Sequence, residues 1–216
     1  MSFRFRLLPP AGLLAAAAAM LLAGPAGAQN IVQNGSFEEP AIAPGSFTNL
    51  PSIPGWTDST GCGIEIQSGV AGTPADGAQL VELDSNCSSV ISQTLATQPG
   101  AAYDLQFQFS PRPGVADNHV QVRWNGTVVA DLTADGTGLA DTQWTKHSVI
   151  VVATGASTTL SFADLSVSDS LGTYIDDVQA ARAGATAIPE LSTAGIAALG
   201  LLLAAAGALL AKTRSG

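Results

Sequence analysis

Basic side chains are scarce: the 216 residues carry eight Lys and Arg against seventeen Asp and Glu. Between residues 29 and 187 only Arg112, Arg123, Lys146 and Arg182 are basic, against sixteen acidic residues, a formal charge of −12. Such a surface offers no basic patch to neutralise phosphates, which excludes nucleic acid as a partner and disfavours anionic membrane surfaces. It is compatible with Ca²⁺ and with neutral ligands. Histidine is equally rare: His119 and His147 stand alone, without Cys, Asp or Glu at ligand spacing, so no transition-metal site is expected. Neither of the two cysteines sits in a redox motif, which argues against thiol chemistry. Internal repeats are missing, and helical periodicity is missing from residue 29 until the C-terminal tail. About 155 residues remain between the ends, enough for one domain with its own core.

The two ends are apolar in different ways. Arg4 and Arg6 precede an apolar run over 13–22, then Gly24, Pro25 and the small-residue triplet Ala26-Gly27-Ala28. This order predicts a signal peptide over 1–28, cut before Gln29; a membrane anchor would need a longer apolar run and lacks such a cleavage pattern. At the other end an uncharged stretch over 194–211 is followed by Lys212 and Arg214. Roughly 18 residues at 1.5 Å each span about 27 Å, close to a hydrocarbon core. Basic residues after the span keep that end in the cytoplasm and place the preceding domain outside the inner membrane. A helix packed in the core would need a helical partner, and the rest of the chain offers none.

The segment before this span resembles the Ile-Pro-Thr-Leu-Ser type of C-terminal sorting tag of bacterial surface proteins, at Ile188, Pro189, Leu191, Ser192 and Gly195. Glu190 replaces the Thr and Ala194 the usual aromatic residue; the related Pro-Glu-Pro tag (PEP-CTERM type) fits less well, because Leu191 stands where its second proline belongs. The resemblance implies an exosortase-type or related enzyme as a partner. The product would be either anchored in the inner membrane facing the periplasm, or placed at the cell surface or in the matrix after processing. The expected organisation is therefore a signal peptide over 1–28, a domain over 29–184, a linker with the sorting motif over 185–193, a transmembrane helix over 194–211 and a basic tail over 212–216.

Cys62 and Cys87 both fall in the exported segment, where a disulfide is expected. Closing a loop of about 25 residues contributes roughly 3–4 kcal/mol in the chain-entropy model. Period-two alternation and β-branched or aromatic residues recur at short intervals, separated by Gly, Pro, Asn and Asp. The candidate strands are 31–33, 63–67, 79–83, 89–95, 103–110, 119–124, 127–132, 145–153, 158–165 and 173–180. Within 103–109 the odd positions Tyr103, Leu105, Phe107 and Phe109 are apolar and should line the core. Asn125-Gly126 supplies positive φ for a tight hairpin between two of the strands. About ten short strands without helices predict an all-β fold, a jelly-roll sandwich of two antiparallel sheets.

Landmarks then fall in a recognisable order: Asn34-Gly35-Ser36-Phe37-Glu38, Ile53-Pro54-Gly55-Trp56, Val81-Glu82-Leu83-Asp84, Phe109-Ser110-Pro111-Arg112-Pro113-Gly114, Asp169-Ser170-Leu171-Gly172 and Ile175-Asp176-Asp177-Val178. Together they resemble the DUF642 family of extracellular domains, related to galactose-binding-like jelly rolls, over about 31–181. The resemblance implies an association with cell-wall or extracellular polysaccharide; plant members carry two such domains, and this chain has room for one. Related jelly rolls commonly hold a structural Ca²⁺ where the first strand meets the last. Glu38 and one aspartate of Asp176-Asp177 match those positions, and strand parity selects Asp176; the other reading is that these acids cap turns or face solvent.

Glu82 and Asp84 share one strand face, roughly 6.5–7 Å apart, a spacing that glycosidases use and that a solvated face explains equally well. Recognition of a sugar calls for a ring plus polar groups. Arg112, on a loop between two prolines, presents a planar group with five donors, which serves either ligand contact or an ion pair. Trp124 and Tyr174 complete the candidate ligand set, whereas Trp56 and Trp144 read as packing residues. The expectation is a noncatalytic binding module, with a purely structural or adhesive protein as the alternative and a glycoside hydrolase behind both.

Overall fold

The computed structural model describes residues 29–184, all of it strands, turns and loops. The predicted signal peptide, the sorting motif at Ile188, Pro189, Leu191 and Ser192, and the apolar segment over 194–211 lie outside these residues. Among the described residues no helix is long and apolar enough to cross a membrane.

Twelve strands form the domain: β1 (Ser46–Leu50), β2 (Ser52–Ile53), β3 (Trp56–Asp58), β4 (Ile64–Ser68), β5 (Leu80–Glu82), β6 (Val90–Ala96), β7 (Ala102–Ser110), β8 (Asn118–Trp124), β9 (Thr127–Ala134), β10 (Thr145–Val152), β11 (Ser157–Asp164) and β12 (Tyr174–Arg182). They make two six-stranded sheets, β1-β4-β5-β12-β7-β10 and β2-β3-β6-β11-β8-β9, paired antiparallel throughout. From β5 to β12 the chain crosses between sheets at every connection but the β8–β9 hairpin, which is the winding of a jelly roll.

Local chemistry explains the elements. In β7 the apolar positions Tyr103, Leu105, Phe107 and Phe109 are buried and the polar ones between them turn away, as their alternation requires. Asn125 and Gly126 hold φ of 51° and 80°, the two positive values that a tight turn needs to match the twist of β8 and β9. Facing side chains of the two sheets, among them Ile66, Phe107, Val122, Phe162 and Ile175, close one core. Cys62 and Cys87 are joined in a disulfide with Cα atoms 5.2 Å apart.

Three strands were not anticipated. β1 to β3 hold two to five residues each and are interrupted by Pro51 and by Pro54-Gly55, so no run is long enough to show alternation. Conversely, the expected strand over 31–33 is not one: Ile31 N–H donates to the Ala180 carbonyl (2.8 Å), but no ladder continues from it.

The register places the end of β1, the start of β4, the end of β5, the start of β12, the end of β7 and the start of β10 side by side. The crossover connections 59–63, 83–89, 111–117, 135–144 and 165–173 therefore gather at one end of the sandwich. The connection 69–79 starts at the opposite end and folds back over the outer face of the first sheet. There Thr73 bonds Asp141 and accepts from the Trp144 indole N–H (2.7 Å).

Candidate functional site

Strand alternation turns Glu65 and Gln67 of β4, Glu82 of β5 and Tyr174 of β12 away from the core, on the face that would ordinarily be solvated. All four are nevertheless buried. They form one polar network beneath Arg112. The Gln67 amide donates from Nε2 to Glu65 Oε1 (2.9 Å) and to Glu82 Oε2, and its Oε1 accepts from the Tyr174 hydroxyl (3.2 Å). Gly172 N–H donates to Glu82 Oε1 (2.7 Å). Arg112 Nη1 donates to Glu82 Oε2, a hydrogen bond that becomes an ion pair when Glu82 ionises, and its Cζ lies 5.7 Å from the centroid of the Tyr174 ring.

Burial pushes the Glu82 carboxyl up to about 8, with Arg112 opposing the rise and Glu65 adding to it. Burial likewise raises the Tyr174 hydroxyl, with Glu82 reinforcing it. The Arg112 side chain keeps 17% of its surface exposed while Glu82 keeps 1%. Its loop is braced: Arg112 N–H donates to Asn118 Oδ1 (2.8 Å), and Gly114 and Gly136 lace the 111–117 and 135–144 connections together. The same loop and the 165–173 connection enclose a groove of about 360 Å³ lined by Gly114, Val115, Asp117, Val167, Asp169 and Leu171.

Arg112 and Tyr174 are thus brought together, but the ring is wholly buried and offers no platform. Trp124 is elsewhere. β8 runs away from the crossover end for seven residues, about 20 Å, so Trp124 lies at the opposite end of the sandwich from Arg112. Its ring is 4% exposed, packs 5.8 Å from Tyr103 and donates from Nε1 to the Val152 carbonyl (3.2 Å). It forms part of a shallow groove of about 270 Å³ with Asn125, Thr127, Ile150, Val152 and Thr154. Arg112 and Trp124 cannot share one sugar residue. Trp56 is fully buried between Phe37 and Phe162, and Trp144 is half-buried.

Glu82 and Asp84 do not face a common cleft. Asp84 accepts from Asp169 N–H (2.8 Å), Ser170 N–H (2.9 Å) and Ser168 Oγ (3.1 Å), so both acids hold the 165–173 connection. With Glu82 sealed beneath Arg112, the pair is not placed for hydrolysis.

The residues expected to hold calcium do not fit that ion. Asp176 is fully buried; its Oδ2 accepts from the N–H groups of Ala75 (2.8 Å) and Asp76 (2.9 Å), and its Oδ1 from that of Asp177 (2.7 Å). Glu38 Oε1 accepts from the N–H groups of Ala78 (2.8 Å) and Gln79 (2.9 Å). Among the described residues no group of three or more His, Cys, Asp or Glu gathers around a common point. Burial raises the Asp176 carboxyl to about 7 against these N–H donors. Parity chose Asp176 for the wrong reason: a bulge between Asp176 and Gln179, with Asp177 at φ 47°, returns Val178 to the core face that Ile175 occupies and leaves Asp176 on the outer one.

Sequence reasoning missed Glu65, Gln67 and the role of the 69–79 connection. Their alternation reads as a solvated face, and no local signal announces that this face will be buried.

A jelly-roll module with a braced arginine at its crossover end is the class defined by this geometry. The chain belongs to the DUF642 family, described as a protein family of unknown function, whose model matches residues 30–181. No curated protein resembles the chain closely enough to count as a match. Several solved structures are similar in shape. The K2 cleaved adhesin domain of Lys-gingipain is 17% identical with a TM-score of 0.48, over 68% of this chain and 95% of that one. The module TmCBM61, solved with β-1,4-galactotriose, is 18% identical with a TM-score of 0.45, over 72% and 99%. The sugar-binding EclA C-terminal domain is 21% identical with a TM-score of 0.35, over 41% of this chain; the match spans 64% of that domain, less than two thirds of its length. Likeness at this level carries no ligand or partner across.

Proposed function

We propose that this chain is an exported, noncatalytic surface or matrix module that binds neutral cell-envelope or extracellular polysaccharide at the crossover-loop end. The observation that carries the reading is Arg112. Glu82 and Tyr174 fix its guanidinium, its remaining donors have no partner among the described residues, and it sits on a loop that borders a groove. A donor group held rigid at a surface is what recognises sugar hydroxyls without a large entropic cost. The acidic surface favours a neutral ligand over a uronate or sulfated one. The ends supply the route: a signal peptide for export, then a C-terminal tag read by an exosortase-type enzyme, with the apolar segment 194–211 holding the chain in the inner membrane until processing.

A second reading, a structural or adhesive protein without a specific glycan, is favoured by the burial of Trp56, Trp124 and Tyr174, none of which offers an exposed ring as a sugar platform. Pull-down of the chain on neutral and acidic polysaccharides, with Arg112→Ala alongside, separates the two. Selective capture weakened by the substitution supports binding; no capture on any glycan supports the structural reading. Mass spectrometry of the mature C-terminus tests sorting, and an intact Lys212-to-Gly216 end counts against processing.

A further inference from the structure

The segment 75–79 is held at both ends by carboxylates that ordinarily suit a cation. Asp176 takes the N–H groups of Ala75 and Asp76, and Glu38 takes those of Ala78 and Gln79. Gly77 between them has φ +68°, and a Cβ there would lie 2.3 Å from Glu38 Oε1, so only glycine lets the carboxylate come this close. Flanking bonds extend the seam. Gln79 Nε2 donates to the carbonyls of Phe37 (2.6 Å) and Pro40 (3.2 Å), Gln79 Oε1 accepts from Ile42 N–H (2.6 Å), and Ser36 Oγ donates to Asp76 Oδ2 (2.6 Å).

We infer that this stretch of main chain takes the place of a structural calcium ion: its N–H groups neutralise Glu38 and Asp176, and the fold needs no metal where the N-terminal segment meets β12. Calcium requires six to eight oxygen ligands, whereas the groups aimed at these carboxylates are hydrogen-bond donors carrying partial positive charge. An ion placed among them would displace the donors and leave several main-chain N–H groups unpaired, Ala75 and Asp76 among them beside a fully buried carboxylate. The same latch ties the 69–79 connection across the outer face of the first sheet.

The test is thermal unfolding of the full chain in mild detergent, in 5 mM calcium chloride and in 5 mM EGTA, for the native sequence and for Asp176→Asn and Glu38→Gln. Both oxygens of Asp176 accept N–H groups, so Asp176→Asn sets an NH₂ group against a donor whichever way the amide turns, whereas Glu38→Gln can keep its oxygen at the Oε1 position and removes only the charge. The expected result is the same Tm in both buffers for the native chain, and a Tm lowered by roughly 4–10 °C in both buffers for Asp176→Asn. Faster proteolytic cleavage within 69–79 should accompany that drop. A native Tm raised by about 5–10 °C in calcium, the shift for an ion at a hundred times its Kd, and lost in either variant, would overturn the inference. So would an Asp176→Asn variant that melts like the native chain, because that carboxylate would then be holding nothing. Neither result bears on polysaccharide capture through Arg112.

Discussion

Removing Arg112 should destabilise the domain by an amount that depends on pH. Glu82 is buried and is pushed up to about 8 mainly by that burial, with Arg112 as the largest opposing influence. Arg112→Ala removes the opposing charge, so the carboxyl rises further and stays protonated at neutral pH. Below pH 8 both proteins then hold a neutral Glu82, and the loss is confined to one hydrogen bond and some packing, about 1 kcal/mol. Above pH 8 the native chain ionises Glu82 against Arg112 while the variant cannot, and the difference grows by about 1.4 kcal/mol per pH unit. It levels off near the 3–5 kcal/mol typical of a buried charge left without its partner. At about 2–4 °C per kcal/mol, the gap in Tm should widen from a few degrees at pH 6.5 to roughly 6 °C or more at pH 9.5. Thermal scans at pH 6.5, 8 and 9.5 measure it, with Glu82→Gln and Glu82→Gln/Arg112→Ala as the control pair, between which the gap should no longer widen with pH. A gap that is constant or narrows at high pH refutes the charge argument.

The native chain carries its own pH signature. Glu82 and Asp176 have folded values raised above their unfolded ones, so the stability they contribute is complete at low pH and is lost as pH climbs to about 8 and about 7 respectively. His147 acts oppositely: burial lowers it, so its contribution is lost as pH falls below about 6.5. Tm should therefore fall between pH 6.5 and 8, and a flat or rising profile over that interval contradicts these shifts. Reduction of the Cys62–Cys87 bridge should cost about 3 kcal/mol, seen as a Tm lower by roughly 6–12 °C in dithiothreitol. Phe107→Ala, at the centre of the core beside Phe162, should cost about 3–5 kcal/mol in urea unfolding, and a loss under 1 kcal/mol would mean the core is not packed as described. Trp124→Phe should leave polysaccharide capture through Arg112 unchanged; if capture is lost with that substitution alone, the two ends of the sandwich act together.

Much of the fold was legible along the chain. Alternation in 103–109 identified a core strand because a pleated backbone sends successive side chains to opposite faces, and Asn125-Gly126 marked a hairpin because few other pairs tolerate two positive φ values. The disulfide followed from two cysteines in a segment read as exported. Short strands escaped this reading, since β1 to β3 are too brief and too interrupted to show a period.

The site is a different matter. Glu82 and Arg112 stand 30 residues apart and meet only because the jelly-roll winding returns the 111–117 connection over β5. Glu65, Gln67 and Glu82 alternate as solvated residues do, yet all three are buried, with Arg112 and Gly172 from distant connections bonded to Glu82. One residue inserted in the bulge of β12 puts Asp176 and Val178 on opposite faces, and a parity rule has no means of seeing it. Sequence by itself determined the local periodicities, the turns and the acidic surface, because those depend on neighbours along the chain. Which carboxylates meet an arginine, which meet main-chain N–H groups, and which rings stay hidden were decided by tertiary structure, because they depend on where distant loops come to rest.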